Sequence, residues 1–250
     1  MKKICLVTII LSALSISSLS AASLSISLGI RETGGSGPAF FNGGATGGIE
    51  FVNLDGQTLI ADGTWQLFTF TPTSDTLTAF AGATANGILD ADWVVFEHVR
   101  IRNSDGITAP IRLWIDAIAN TTSTGSVSEG FEGFATGAEV MFQEPSFSGS
   151  TAGNLMPGST ALVSDSDAYA GNHSNEAYFQ FIDGDSTRWV RLTTFNTPNL
   201  PNPAMLAREL VGNPTVSFYA KASVVPEPSS LALGLIGLGL CAWFKRRQAI

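Results

Sequence analysis

The chain has 250 residues and a net charge of −8, and residues 23–224 alone carry 8 Lys and Arg against 20 Asp and Glu, a net charge of −12. This acidity argues against nucleic acid and anionic membrane surfaces as partners, because phosphate binding requires clustered positive charge. The two cysteines, Cys5 and Cys241, lie near the chain ends. The intervening region is long enough for one sizeable core, which must be held without a disulfide, by packing or by a bound metal.

The first 22 residues have the layout of a secretory signal peptide. Lys2 and Lys3 precede an apolar stretch from Ile4 to Leu14, and small residues follow, ending in Ala21-Ala22. This order of positive charge, apolar core and small residues predicts a signal helix that is cleaved after Ala22. Residues 23–223 are then the exported part of the chain.

The exported part has an all-β pattern, because alternation of apolar and polar residues is common and helical periodicity is scarce. Strands are predicted over 65–71, 94–102, 111–116, 127–132, 139–143, 161–164, 177–182, 188–194 and 215–222. Turn sequences such as Asp62-Gly63 and Asp183-Gly184 separate strands. A single helix is predicted over 203–211, with Asn202 as N-cap and Gly212 at its end. Residues 33–48 are predicted to form a long surface loop and 224–228 a short linker.

Two groups of motifs resemble a jelly-roll carbohydrate-binding module. Its C-terminal half is similar to Trp65–Phe70, Ala85–Asp90 and Arg112–Ile118, and its N-terminal half to Phe131–Phe134, Gly171–Ser174 and Thr215–Phe218. The halves occur in reversed order, so the resemblance implies either one permuted jelly-roll-like β-sandwich or two small modules with a boundary near 121–127. We favour the single sandwich, since each half alone would bury little apolar surface.

Two predicted strands each place a tryptophan beside an arginine. Arg112, Trp114 and Asp116 share the outward face of their strand, and Trp189 shares a face with Arg191. Sugars pack their C–H faces on aromatic rings while polar groups bond their hydroxyls. Arg112, Trp114, Trp189 and Arg191 are therefore the predicted glycan-binding residues. The alternative is that these tryptophans belong to the core or cap its edge, and Trp65 is interpreted as a core residue.

Calcium is the predicted metal, because it takes oxygen ligands only. Jelly-roll modules often hold a structural calcium near their first and last strands, and the resemblance implies Asp116 and Glu132 as its ligands. The alternative is two solvated carboxylates.

We expect no catalysis. The exported part has two histidines, His98 and His173, and no motif for a nucleophile or a metal-dependent hydrolase. His98 is predicted to lie on the surface. The carboxylate pairs Asp90/Asp92, Asp165/Asp167 and Asp183/Asp185 are interpreted first as turn residues, with calcium ligands and the paired carboxylates of a glycosidase as alternatives.

The last 25 residues have three parts. Pro226-Glu227-Pro228 keeps the chain extended, the run from Ser229 to Phe244 is uncharged, and Lys245-Arg246-Arg247 would be held on the cytoplasmic side. The run is short for a membrane span, although a thin bilayer could accept it. This tail resembles the PEP-CTERM sorting signal of Gram-negative bacteria, which implies a hydrophobic C-terminal helix and processing by an exosortase. The alternative is a plain membrane anchor.

Together these features predict an envelope protein that is anchored in the inner membrane before processing and then lies at the cell surface or outside the cell. Its partners would be the secretion machinery, an exosortase, the membrane and an exopolysaccharide. The rival hypotheses are a purely structural or adhesive matrix protein and a domain related to glycoside hydrolases.

Overall fold

The computed structural model describes residues 22–33, 47–91, 93–122, 125–194, 208–209 and 214–225. In this part of the chain the structure is all-β, apart from one short 3-10 turn at Ala152–Asn154. Twelve strands follow in chain order: β1 Ser23–Thr33, β2 Ile49–Ile60, β3 Gln66–Phe70, β4 Leu77–Ala81, β5 Trp93–Arg102, β6 Ile111–Thr122, β7 Gly125–Glu129, β8 Thr160–Ser164, β9 Ser174–Phe179, β10 Trp189–Thr193, β11 Arg208–Glu209 and β12 Thr215–Val224.

The strands form two antiparallel sheets. Sheet I has the order β10-β5-β1-β2-β4, with β11 also paired to β5, and sheet II has the order β3-β12-β6-β9-β8, with β7 also paired to β6. Strands from before and after residues 121–127 occur in both sheets. Both halves of the chain therefore contribute to each layer of the sandwich.

The core lies between the two sheets and follows from the period-2 pattern of the strands. Leu24, Ile26, Leu28 and Ile30 of β1 are fully buried, as are Ile111, Leu113 and Ile115 of β6. Phe96 of sheet I stacks on Phe218 of sheet II with ring centroids 6.5 Å apart. Alternate residues point away from this core, and they form the two outer faces that carry the candidate chemistry.

Five strands, β3, β5, β8, β10 and β12, confirm predicted strands to within two residues at each end, and β6 begins as predicted but continues six residues further, to Thr122. Strands β7 and β9 are also confirmed, each beginning earlier and ending earlier than predicted. The strand predicted over 139–143 is wrong, because this segment is coil in which Met141 has a left-handed φ of 67° and only Phe142 makes a β-bridge, to Thr194. Strands β1, β2 and β4 are absent from the prediction, although the alternation in β1 is readable in the sequence.

Three further predictions fall only partly on residues that the structure describes or only partly agree with it. The helix over 203–211 is wrong at Arg208 and Glu209, which pair with Val94 and Trp93 as a short strand; its other residues, 203–207 and 210–211, lie outside the described part. The predicted linker begins inside the fold, since Val224 ends β12 and the N–H of Val225 donates to the carbonyl oxygen of Pro110 at 2.8 Å. Most of the loop predicted over 33–48 lies outside the described residues.

The predicted signal helix and C-terminal hydrophobic helix lie outside the described residues. Within the part of the chain that the structure covers, no helix has the length and apolarity needed to cross a bilayer.

Candidate carbohydrate-binding surface

The outer side of sheet II carries a concentration of aromatic rings, which we call the aromatic face. It comprises all three tyrosines of the chain and two of its five tryptophans: Trp65, Trp114, Tyr169, Tyr178 and Tyr219. Tyr169 is 43 % exposed, and its ring stacks on that of Tyr219 with centroids 3.4 Å apart. Trp65 meets Tyr169 edge-on at 6.1 Å. The face therefore offers partly exposed aromatic surface with polar edges.

Lys221 lies at the centre of the aromatic face. Its Nζ is 4.6 Å from the ring centroid of Trp114 and 5.6 Å from that of Trp65, and it forms an ion pair with Asp167. The indole N–H of Trp65 also donates to Asp167, at 3.2 Å. Burial lowers the pKa of Lys221. The ammonium group thus holds two indoles and a carboxylate in one arrangement.

Trp114 is 7 % exposed, because the loop at residues 165–173 covers it. Its indole N–H donates to Ser166 Oγ at 2.9 Å, and Ser166 Oγ donates to Glu176 at 2.7 Å. Arg112 forms an ion pair with the same Glu176 at 3.3 Å. The hydrogen bonds thus connect Trp114 to the exposed Arg112, but the indole itself does not present a ring to solvent.

The two predicted calcium ligands hold this same loop through its backbone. Asp116, fully buried, accepts N–H groups of Ala117, Tyr169 and Ala170 at 2.6–3.0 Å. Glu132 accepts those of Asn172 and His173 at 2.8 Å. A side chain at residue 171 would overlap the Glu132 carboxylate, so the glycine there permits the close approach.

The surroundings of Asp116 and Glu132 shift their pKa values in opposite directions. Burial raises the pKa of Asp116, although its amide donors oppose this. The amides of His173 and Asn172 lower the pKa of Glu132. In the part of the chain that the structure describes, no group of three or more His, Cys, Asp or Glu side chains is arranged to hold a metal. Calcium at this pair stays a prediction from the resemblance, and the five backbone N–H groups that the two carboxylates already accept argue against it.

The outer side of sheet I carries a second cluster, which we call the Trp189 cluster. It consists of the rings of Phe51, Phe80, His98 and Trp189, whose neighbouring centroids are 4.5–6.5 Å apart. The guanidinium of Arg100 lies 5.1 Å from the Trp189 centroid, and that of Arg191 lies 5.2 Å from the Phe80 centroid. Cations thus lie against the rings of this cluster.

His98 of the Trp189 cluster and the neighbouring Glu97 are both fully buried. The Glu97 carboxylate contacts Arg191 and His98 Nδ1, and its Oε1 is 3.6 Å from Arg31 Nη2. Burial lowers the pKa of His98, while Glu97 acts in the opposite direction. The prediction that His98 lies on the surface is therefore wrong, because the aromatic rings cover it.

The structure places the predicted glycan-binding residues on two surfaces. Arg112 and Trp114 lie on sheet II, whereas Trp189 and Arg191 lie on sheet I, so the fold does not bring the two tryptophan–arginine pairs together. Asp116 was also expected on the outward face and is instead covered by the loop that it binds. The sequence interpretation missed Tyr169 and Tyr219, and it assigned Trp65 to the core although this residue is half-buried on the aromatic face.

The paired carboxylates take different roles. Asp183 and Asp185 are turn residues that accept nearby N–H groups, as interpreted, and Asp183 also binds Arg188. Asp167 instead belongs to the aromatic face through Lys221. Asp90 bonds Asn86, and its partner Asp92 lies outside the described residues.

A cavity of about 530 Å³ lies at the end of the sandwich where both chain ends leave it. Its walls include Ala22, which precedes β1, and Ser223 and Val224, which end β12. The N–H of Ser23 donates to the carboxylate of Asp105 in the same wall at 2.7 Å. The segments before residue 22 and after residue 225 are therefore attached to one end of the fold.

Searches against curated proteins and against solved structures returned no match to the chain. The PEP-CTERM protein-sorting motif matches residues 224–248, which include Pro226, Glu227, Pro228, Lys245, Arg246 and Arg247, all outside the described residues. The match begins at the last residue of β12. This motif indicates an exported protein that an exosortase sorts at the membrane of a Gram-negative cell.

Proposed function

We propose that this chain is an exported envelope protein whose β-sandwich binds polysaccharide through the aromatic face of sheet II. The aromatic face supports the proposal, because all three tyrosines of the chain lie there with Trp65 and Trp114. Tyrosine and tryptophan combine an apolar ring with a polar edge, which suits a ligand whose ring faces are apolar and whose rim carries hydroxyls.

The residues that contact the sugar differ from those predicted from sequence. Trp65, Tyr169 and Tyr219 present the accessible rings, and Arg112 and Glu176 supply polar groups at the edge of the same face. Trp114 supports the loop that carries Tyr169 through its bond to Ser166. On the opposite sheet, Trp189 and Arg191 belong to a separate surface.

Fixed geometry favours binding, because ordering flexible groups costs free energy at the moment of association. The loop at residues 165–173 is held by Asp116, Glu132, Lys221 and Trp114 through bonds that need no ligand. Tyr169 is therefore presented in position before a sugar arrives.

The targeting segments complete the proposal. The leader of 22 residues directs export, the hydrophobic tail holds the chain in the inner membrane, and processing by an exosortase delivers the sandwich to the cell surface or the matrix outside it. The protein performs no catalysis in this proposal.

Affinity electrophoresis in gels containing polysaccharide from the producing cells tests the binding. We expect retardation of the wild type and its loss in Trp65→Ala and Tyr169→Ala. Ile182→Ala is the matched control, since Ile182 is also 43 % exposed but lies in the loop after β9. Equal retardation of all variants would contradict the proposal.

Gel retardation and an assay for reducing sugar together separate the rival functions. A matrix protein without a ligand site would show no retardation in any gel. A domain related to glycoside hydrolases would release reducing sugar from the polysaccharide during incubation, which we do not expect.

A further inference from the structure

Basic residues are concentrated on one outer face of this acidic protein. Of the 8 Lys and Arg between residues 23 and 224, four lie on the outer face of sheet I: Arg31, Arg100, Arg102 and Arg191. The same stretch of chain carries 20 Asp and Glu. A local excess of positive charge in such a background needs a physical explanation.

The strand register places these cations against each other. Arg191 of β10 pairs directly with Arg100 of β5, and Trp189 pairs with Arg102. Like charges directly opposite on neighbouring strands destabilise a sheet. An anion between the two guanidinium groups would remove this repulsion.

The carboxylate of Glu97 neutralises only some of these arginines. It contacts Arg31 and Arg191, whereas neither Arg100 nor Arg102 has an ion-pair partner among the described residues. Arg100 is 8 % exposed, and the hydrogen bond described for its guanidinium goes to the carbonyl oxygen of Leu54 at 3.2 Å. The negative charge of Asp55 raises the pKa of Arg100, but Asp55 lies too far away to form an ion pair with it.

Several nitrogen atoms of these arginines and of His98 have no hydrogen-bond partner among the described residues. Arg31 Nε, Arg102 Nε, Arg191 Nε and His98 Nε2 are buried without a hydrogen bond in the described structure. Buried polar atoms are normally bonded, and those that are not indicate an absent water, ion or ligand. Burial and the charge of Arg102 lower the pKa of Arg100 to about 10, so its side chain remains charged at neutral pH.

We propose that the Trp189 cluster is a second ligand site, which binds a carboxylate-bearing sugar, that is, a hexuronate residue of an acidic polysaccharide. A guanidinium group matches a planar carboxylate with two parallel N–H donors. The rings of Trp189 and Phe80 lie within 5.1–5.2 Å of the guanidinium carbons of Arg100 and Arg191, and they can pack against the sugar ring. This site is separate from the aromatic face of sheet II.

Oligogalacturonate and its fully methyl-esterified form are the probes, because they share the sugar ring and differ in the charge. Isothermal titration with the purified full-length protein should show binding of the acid form that weakens as NaCl rises from about 20 to about 500 mM, following the screening of charge. We expect no measurable binding of the ester. Arg100→Met, which keeps the apolar stem, should weaken binding of the acid form at least tenfold.

Arg188→Gln is the matched control, since it removes one arginine that is paired with Asp183 and partly exposed. It should bind the acid form as the wild type does. If Arg100→Met does not unfold cooperatively, Arg102→Gln provides the second test and should weaken binding as well. Failure of the wild type to bind the acid form, equal binding of both probes, or wild-type affinity in the arginine variants would overturn the proposal.

The outcome is distinguishable from that of the proposed function. Tyr169→Ala should bind oligogalacturonate normally, because Tyr169 lies on the other sheet. If Tyr169→Ala loses the acid sugar while Arg100→Met keeps it, the second site is refuted and the aromatic face alone accounts for binding.

Discussion

Gly29 and His98 are cross-strand partners on the outer face of sheet I, and the missing side chain of one makes room for the ring of the other. A Cβ atom at residue 29 would overlap the imidazole of His98. The ring fills that space and contacts Phe51, Phe80 and Trp189. The Trp189 cluster therefore depends on a glycine at the centre of the sheet.

Gly29→Ala should destabilise the fold, because the buried ring beside it has no free space to enter. Overpacking of this kind costs about 2–3 kcal/mol, measured as the free energy of unfolding in urea. Gly133→Ala is the control, since a Cβ atom at residue 133 would have no other atom within 4 Å, and it should change stability by less than about 0.5 kcal/mol. Adding His98→Ala to Gly29→Ala should recover part of the loss, and a purely additive double variant would contradict this explanation.

Stability should fall as the pH decreases below about 6.5, the ordinary pKa of histidine. Burial lowers the pKa of His98 in the folded state, so the unfolded chain takes up a proton that the folded chain does not. The loss from this group is at most about 1.4 kcal/mol per pH unit until the folded pKa is reached. Urea midpoints between about pH 7.5 and about pH 5 measure it, and His98→Gln should show a shallower slope. Identical slopes for the two proteins would show that His98 is not responsible.

Asp116→Asn should loosen the loop that carries Tyr169. An asparagine amide presents N–H donors toward backbone donors, so bonds that a carboxylate accepts are lost, at a cost of about 2 kcal/mol. Hydrogen exchange should accelerate at the amides of Tyr169 and Ala170, which donate to this carboxylate. Amides of β8 should keep their wild-type exchange, and uniform acceleration throughout the sandwich would indicate global destabilisation instead.

Calcium provides a test of the predicted metal pair. The oxygens of Asp116 and Glu132 already accept five backbone N–H groups, so we expect CaCl₂ and EDTA, each at about 5 mM, to give the same Tm within about 1 °C. A ligand that bound only the folded state would raise Tm with its concentration. A rise in Tm with calcium that disappears in Glu132→Gln would contradict this expectation and support the predicted metal site.

Deleting residues 226–250 should leave the fold intact and change where the protein accumulates. The last described contact of the chain is the bond from Val225 to Pro110, which the deletion retains. We expect the truncated protein to leave the membrane fraction while keeping the urea midpoint of the full chain. Unchanged fractionation would contradict a sorting role for the tail.

The strands that the sequence predicted best are those with aromatic and β-branched residues, such as β3 and β5. Strand β1 was missed although serines alternate with its buried Leu and Ile residues, because it follows directly on the predicted leader. The segment at 139–143 was predicted as a strand because it is rich in apolar residues. A buried coil has the same apolar composition as a buried strand. Local patterns do not distinguish these cases.

The sites were harder to predict than the strands. Trp114 and Trp189 each have the expected neighbours in sequence, and only the strand order of the sheets reveals that they face opposite sides. The role of Asp116 depends on a loop more than fifty residues further along the chain. The concentration of arginines on sheet I was invisible to the overall charge, because net charge averages over all faces.

Strand β12 is flanked on both edges, by β3 and by β6, and its last residue is the first of the sorting motif. Tension transmitted along the tail therefore acts parallel to a strand that is bonded on two sides. Antiparallel hydrogen bonds lie across that direction, so the load is shared by many of them at once instead of opening them one by one. A domain attached in this way resists being pulled apart by a force that acts through its tail.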